Sequence, residues 1–172
     1  MESRGQPLRV LFLCTGNSAR SQIAEKVLNR KGGGRFAAES AGTNPASTVN
    51  PNAIEALERH GYFWTGGHTK SVDGLVNDGW DFVITVCDRA KEACPVFPGQ
   101  PVVAHWGMAD PAAVEGSEDE KRRAFDDTLL LISRRLDLFL ALPMEKLSKL
   151  ALEHRVRAIG EIKTTEPTAG TT

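Results

Sequence analysis

Cys14-Thr15-Gly16-Asn17-Ser18-Ala19-Arg20-Ser21 is the stretch on which the fold turns. Apolar Val10, Leu11, Phe12 and Leu13 lead into it, and Ala24, Val27 and Leu28 lead away at helical spacing. The pattern predicts a strand, a tight loop and a helix N-terminus. Such a junction gathers backbone N–H groups and the positive end of a helix dipole into one bowl, which suits a tetrahedral oxyanion. Gly16 is expected to supply the positive-φ turn, and Arg20 to grip two oxygens in fork geometry. Cys14 lies at the bottom, where a positive field favours the nucleophilic thiolate. Ser21 is in reach of its sulfur. The expected oxyanion-binding set is Thr15, Gly16, Asn17, Ser18, Ala19, Arg20 and Ser21. The alternative, Cys14 as a small apolar residue at a strand end, leaves the loop glycine and Arg20 without a reason. A nucleotide-binding P-loop is excluded, because the Gly-Lys-Ser/Thr ending is missing.

The frame around this loop is ordinary. A chain of 172 residues, 41% hydrophobic and 25% charged, fits one domain with one core. A net charge of −1 gives no electrostatic case for nucleic acid or a membrane surface. The polar start Met1–Pro7 carries no signal-peptide pattern, and no apolar run approaches the roughly 20 residues of a membrane span. A cytoplasmic location is expected. Three cysteines argue against a disulfide framework. His60, His68, His105 and His154 have no zinc-like spacing with them, so no metal is expected.

Along the chain, strands are expected at Arg9–Leu13, Phe36–Ala41, Phe82–Val86 and Val102–His105. Helices are expected at Ser21–Arg30, ended by Gly32-Gly33-Gly34, and from the Asn50-Pro51 cap to Gly61. A short helix is expected around Val72, Leu75 and Val76, and Asp88–Cys94 is helix-compatible up to Pro95. Ser117 and Glu120 form a capping box ahead of a long helix with Phe125, Leu129, Ile132, Leu136 and Phe139 on one face. Pro143 ends it and begins a further helix with Leu147, Leu150, Leu152 and Val156. The alternation implies an α/β fold: a four-stranded parallel doubly wound sheet with helices on both faces and a C-terminal helical extension. Residues 1–142 form the domain, 143–160 the extension and 161–172 a disordered tail.

Ligands of such sheets bind at the carboxyl ends of strands, a rule that gathers Cys14, Cys87 and the segment after Val102–His105 on one rim. Asp110, a short loop after His105, is placed either to protonate a leaving oxygen or to cap the turn that follows. Ser40 and Thr43 are read either as turn residues or as partners of the Cys14 loop through Asn17. Trp106 reads as packing. In a straight helix, residues 87 and 94 would lie about 10 Å apart at ~1.5 Å per residue. That exceeds disulfide reach, so Cys87 and Cys94 pair only if the segment is irregular or unwinds.

Electron counting separates the chemistries open to the bowl. A phosphatase needs one cysteine and water. Reduction of arsenate, which has the shape and charge of phosphate, needs two electrons, and two thiols supply them by forming a disulfide. A third thiol can pass that disulfide to an external reductant. Three cysteines therefore favour reduction over hydrolysis.

The loop with Gln22, Ala24 and Glu25, then Ser40-Ala41-Gly42-Thr43, Val86-Cys87 with Cys94-Pro95, and His105-Trp106-Gly107 with Asp110-Pro111-Ala112, resemble the arsenate reductases of the low-molecular-weight tyrosine phosphatase fold. The likeness spans about residues 8–140. It implies that Cys14 attacks arsenate, that Arg20 and the 15–21 backbone hold the oxyanion, and that Asp110 protonates the departing oxygen. It further implies that Cys87 attacks Cys14, and that Cys94 then takes the disulfide from Cys87. No bound cofactor is implied. The expected partner is an external thiol reductant, thioredoxin or glutathione with glutaredoxin. Asn17 and Ser40 are implied as loop support. Some relatives bind potassium behind the loop through groups matching Asn17, Glu25 and Ser40 plus an acidic residue. Lys70 stands at that acidic position here. The alternatives are a low-molecular-weight tyrosine phosphatase, which would have an aromatic after Asp110-Pro111, and an oxyanion- or redox-sensing protein without turnover.

Overall fold

The structure is a computed structural model that describes residues 5–63 and 65–163. The expectation of a disordered tail falls mainly on residues 164–172, which lie outside the described residues. Four parallel strands, β1 (Leu8–Cys14), β2 (Phe36–Gly42), β3 (Phe82–Thr85) and β4 (Val102–His105), form one sheet in the order β2-β1-β3-β4. β1 is interior, and its apolar run Val10 to Leu13 is fully buried. An unbroken apolar run of this kind belongs to a strand covered on both faces.

The strand order places the site. From β1 the chain first moves outward to β2, then crosses back to lay β3 on the other side of β1. The direction of winding reverses between β1 and β3, and a crevice opens where their carboxyl ends part. Cys14 ends β1, and Leu13 pairs with Thr85 at the end of β3. Cys87, two residues past β3, is thereby brought to the wall of the cavity that Cys14 also lines.

The helices are α1 (Arg20–Lys31), α2 (Pro51–Arg59), α3 (Asp88–Glu92), α4 (Glu118–Leu140) and α5 (Lys149–Ile159). Asn50 caps α2 by accepting from Asn52 N, with Pro51 in the first turn. Both halves of the Ser117/Glu120 capping box are formed at α4. The Ser117 N–H donates to the Glu120 carboxylate and lowers its pKa. The buried α4 face, Phe125, Leu129, Ile132, Leu136 and Phe139, packs into the core.

Three local expectations differ. The Val72 segment is a single 3-10 turn, Val72–Gly74, capped by Ser71; three and five residues further on, Asn77 and Gly79 interrupt any longer apolar face. β3 stops at Thr85, and the Val86 N–H still donates to Leu13 O. After Pro143 the chain forms a short 3-10 turn at Met144–Lys146, and α5 begins later, because Ser148 provides the N-cap by accepting from Ala151 N. Val156 and Ile159 anchor α5, whereas Leu150 is exposed. Trp106 packs in the core as expected, edge-on to Phe139. No helix among the described residues is long and apolar enough to cross a membrane.

Candidate active site

The loop between Cys14 and α1 turns at Asn17, whose φ is +53°, and not at Gly16. Asparagine tolerates the left-handed region better than other residues with a Cβ, and here its side chain stabilises the turn. Asn17 Nδ2 donates to Ser21 Oγ at 2.8 Å, and its Oδ1 accepts from Lys70 N at 3.0 Å. The turned backbone lets Asn17 N–H donate to Cys14 Sγ at 3.2 Å, while Ser21 Oγ lies 2.9 Å from the same sulfur. Cys14 is thus held at the floor of the loop, almost fully buried.

Every loop carbonyl from residue 14 to 18 is engaged away from the bowl. Thr43, Asn44, Ala46 and Asn50 donate their N–H groups to the carbonyls of Cys14, Thr15, Gly16 and Ser18. Gln22 Nε2 donates to that of Asn17. A bowl whose carbonyls are committed outward presents N–H groups, which is what an oxyanion requires. α1 adds to this, since Ala19 offers no side-chain cap and its first turn holds no acidic residue. Its free N–H groups and positive dipole end remain for an anion.

The expected link from the Ser40–Thr43 segment to the loop through Asn17 is replaced by these backbone bonds. Gly42 makes them possible, because a Cβ there would lie 2.5 Å from Thr15 O. Ser40 Oγ instead donates to Glu25 Oε1 at 2.6 Å. Glu25 also meets Lys26 Nζ at 3.2 Å and Lys70 Nζ at 3.8 Å. A lysine ammonium therefore stands beside the carboxylate behind the loop. Among the described residues no group of three or more His, Cys, Asp or Glu side chains could hold a metal ion.

A cavity of about 400 Å³ opens above Cys14, lined by the loop, Arg20, Cys87, Arg89, Asp110 and Ala112. Arg20 Nη1 donates to Met108 O at 3.0 Å, and Nη2 lies 3.8 Å from Asp110 Oδ2. Asp110 caps the turn at Pro111–Ala113, with Oδ1 accepting from Ala112 N at 3.0 Å, while Oδ2 faces Arg20 on the cavity wall. Cys87 is buried yet lines this cavity, its Sγ 3.3 Å from Thr15 Oγ1. Cys94 is not among the lining residues. It sits two positions past the end of α3, half-buried, and burial pushes its thiol pKa up. All three cysteines are free, and the helix between Cys87 and Cys94 stops at Glu92.

Sequence reasoning missed Arg89, a second guanidinium on the cavity wall two residues past Cys87. It also missed the chain from Thr85 Oγ1 to His105 Nδ1 at 2.8 Å and from His105 Nε2 to Asp88 Oδ1 at 2.9 Å, which ties β4 to the start of α3. The nearness of Arg89 to Cys87 was a usable signal. The His105–Asp88 contact had none.

Comparison with known proteins agrees with this geometry. A family model for low molecular weight phosphotyrosine protein phosphatases matches residues 9–153. An arsenate reductase of Oceanobacillus iheyensis is 38% identical over 130 residues, which are 76% of this chain and 93% of that relative. The crystal structure of an arsenate reductase from Archaeoglobus fulgidus superposes with a TM-score of 0.61 at 30% identity, covering 77% of this chain and 99% of that one. A thioredoxin-dependent arsenate reductase of Corynebacterium glutamicum superposes with a TM-score of 0.55 at 28% identity, covering 78% and 64%.

Proposed function

The chain belongs to the low molecular weight phosphotyrosine protein phosphatase family, and from that premise we propose that it reduces arsenate to arsenite through a relay of Cys14, Cys87 and Cys94. One observation carries this reading within a family named for hydrolysis. A second thiol, Cys87, lines the same cavity as the nucleophile. Hydrolysis has no use for it, and a two-electron reduction does.

The Cys14 thiolate attacks arsenic, with the oxyanion held by the loop N–H groups and Arg20. Asp110 gives its proton to the departing oxygen, which leaves as water, and a Cys14–arsenic(V) bond remains. The Cys87 thiolate then attacks Cys14 Sγ. The sulfur–arsenic bond breaks with its electron pair going to arsenic, so arsenite leaves and the Cys14–Cys87 disulfide forms. Cys94 next attacks Cys87 Sγ and returns Cys14 as thiolate. The Cys87–Cys94 disulfide is finally reduced by an external dithiol, which is oxidised in turn. That dithiol is of the thioredoxin type, a reading supported by the third cysteine and by the similarity to a thioredoxin-dependent enzyme. Glutathione with glutaredoxin is the competing reductant.

Arsenate-dependent NADPH consumption tests this, run with thioredoxin and thioredoxin reductase beside glutathione with glutaredoxin. The thioredoxin arm should turn over, and Cys94→Ser should stop it. Cys14→Ser should abolish all activity, and Cys87→Ser should stop arsenite production while sparing aryl phosphate hydrolysis. Fast aryl phosphate hydrolysis with no arsenate turnover in either arm would establish the phosphatase instead.

A further inference from the structure

Arg135, in the last third of α4, has a side chain fully removed from solvent and makes its hydrogen bonds to carbonyl oxygens. Burial pulls its pKa down to about 10, with the Glu161 carboxylate acting the other way, so it stays charged at neutral pH. Its Nη1 donates to Trp106 O at 3.0 Å, and its Nη2 to Gly107 O and Gly160 O, each at 3.2 Å. Nε donates to Ile162 O at 3.0 Å. One buried cation therefore holds two segments together: the loop that leads to Asp110 and the chain that leaves α5.

The contact between those segments is close. Trp106 Nε1 donates to Val156 O at 2.9 Å. At Gly160 a Cβ would lie 2.3 Å from His105 O and 2.9 Å from the Trp106 ring, so only glycine permits this approach. Gly160, Glu161 and Lys163 wall a cavity of about 920 Å³ that shares Asp110 with the oxyanion bowl. At its far end the loop is tied to the site by Arg20, whose Nη1 takes Met108 O. Residues 106–110 are thus strung between two guanidiniums, one that reads the substrate and one that reads the extension.

We infer that the C-terminal extension is a working part of the active site: by completing the carbonyl cage of Arg135, α5 and residues 160–162 fix the loop that aims Asp110 into the bowl. Arg135 is a positioning residue in this scheme. It touches no substrate, and without residues 160–162 it would lose two of its acceptors and its hold on the 106–107 carbonyls. The inference rests on the reading of Asp110 as the proton donor.

The test is a double-mutant cycle on the single-turnover rate of arsenite formation, at saturating arsenate and without external thiol. Gly160→Val drives a side chain into the His105 carbonyl, and Arg135→Lys keeps the charge but loses the fork. Each should slow arsenite formation about tenfold or more. Asp110→Asn should slow it on the order of 10²-fold or more, the usual scale of general acid catalysis. Combined with Asp110→Asn, either change should alter the rate less than twofold, because the group being positioned has gone. A merely structural role would cost the same factor in both backgrounds, and that result overturns the inference, as do rates equal to the unmodified protein in both single variants. Thermal melts identify a variant that fails to fold, in which case the other variant decides. No arsenite from the unmodified protein would refute the underlying reading, whereas normal arsenite with indifferent Gly160 and Arg135 variants refutes this inference alone.

Discussion

The geometry of Cys14, the proposed nucleophile, depends on groups that do not line the cavity, the missing side chain of Gly42 and the side chain of Asn17. Gly42 is the tightest of them, because its missing side chain leaves room for Thr15 O at what would be 2.5 Å. Gly42→Ala should push the loop out of register. Displacements near 1 Å in a catalytic array cost on the order of 10²-fold, so kcat/KM for arsenate should fall by about that factor. A Gly42→Ala enzyme within twofold of the parent would show that the loop is not pinned there. Asn17→Ala acts differently. It removes two hydrogen bonds of a fully buried side chain and leaves alanine at positive φ. A loss of about 2–3 kcal/mol is expected, read as a lower denaturant midpoint at unchanged slope. The motif made Cys14, Arg20 and Ser21 legible, since local spacing dictates them. It misassigned the left-handed turn to Gly16, because propensity ranks glycine first, whereas a hydrogen bond from Lys70, 53 residues away, favours asparagine at position 17. Contacts of that range leave no mark in local spacing.

Among the elements, α3 has the most to do. It is short, it separates the two thiols that pair in the proposed relay, and it is held at its start by His105 on Asp88. Asp88 also favours the helix as an acidic residue in its first turn. Residues seven apart along a helix lie about 10 Å from each other, so we expect a Cys87–Cys94 disulfide to draw this segment off its helical path. Amide exchange in residues 88–93 should therefore rise when the protein is oxidised, and Asp88→Ala should raise it in the reduced protein too. Unchanged exchange on oxidation would mean that the two sulfurs pair without unwinding. The pH dependence of the same step has a definite sign. Burial pushes the Cys94 thiol up, and the thiolate is the attacking species. The rate of transfer from Cys87 to Cys94 should then climb from pH 7 toward pH 9, followed as release of Cys14 to an alkylating reagent. Caps made most helix starts readable, at Asn50 and Ser117 above all. Ser148 went unread beside Pro143, because two start signals lay close together and the 3-10 turn at Met144–Lys146 separates them.

At the scale of the molecule, the parallel order β2-β1-β3-β4 does one chemical thing. It reverses its winding between β1 and β3 and so delivers a nucleophile and a second thiol to one crevice from chain positions 73 residues apart (87 − 14). This much followed from alternating strands and helices, since the right-handed crossover and the carboxyl-end rule leave few other places for Cys87. What did not follow was the packing of residues 149–162, whose docking through Arg135 depends on backbone carbonyls and carries no side-chain signature. The arrangement carries a stoichiometric consequence that no hydrolase shares. Reduced protein contains three thiols. Given arsenate and no external reductant, each chain can deliver one electron pair and then stop. One arsenite per chain should appear, and titratable thiols should fall from three to one. Cys94→Ser should still release that single arsenite, because the electron pair comes from Cys14 and Cys87, and it should be left with the Cys14–Cys87 disulfide. More than one arsenite per chain would require a donor outside the three cysteines, and an unchanged thiol count would remove reduction from the chemistry of this site.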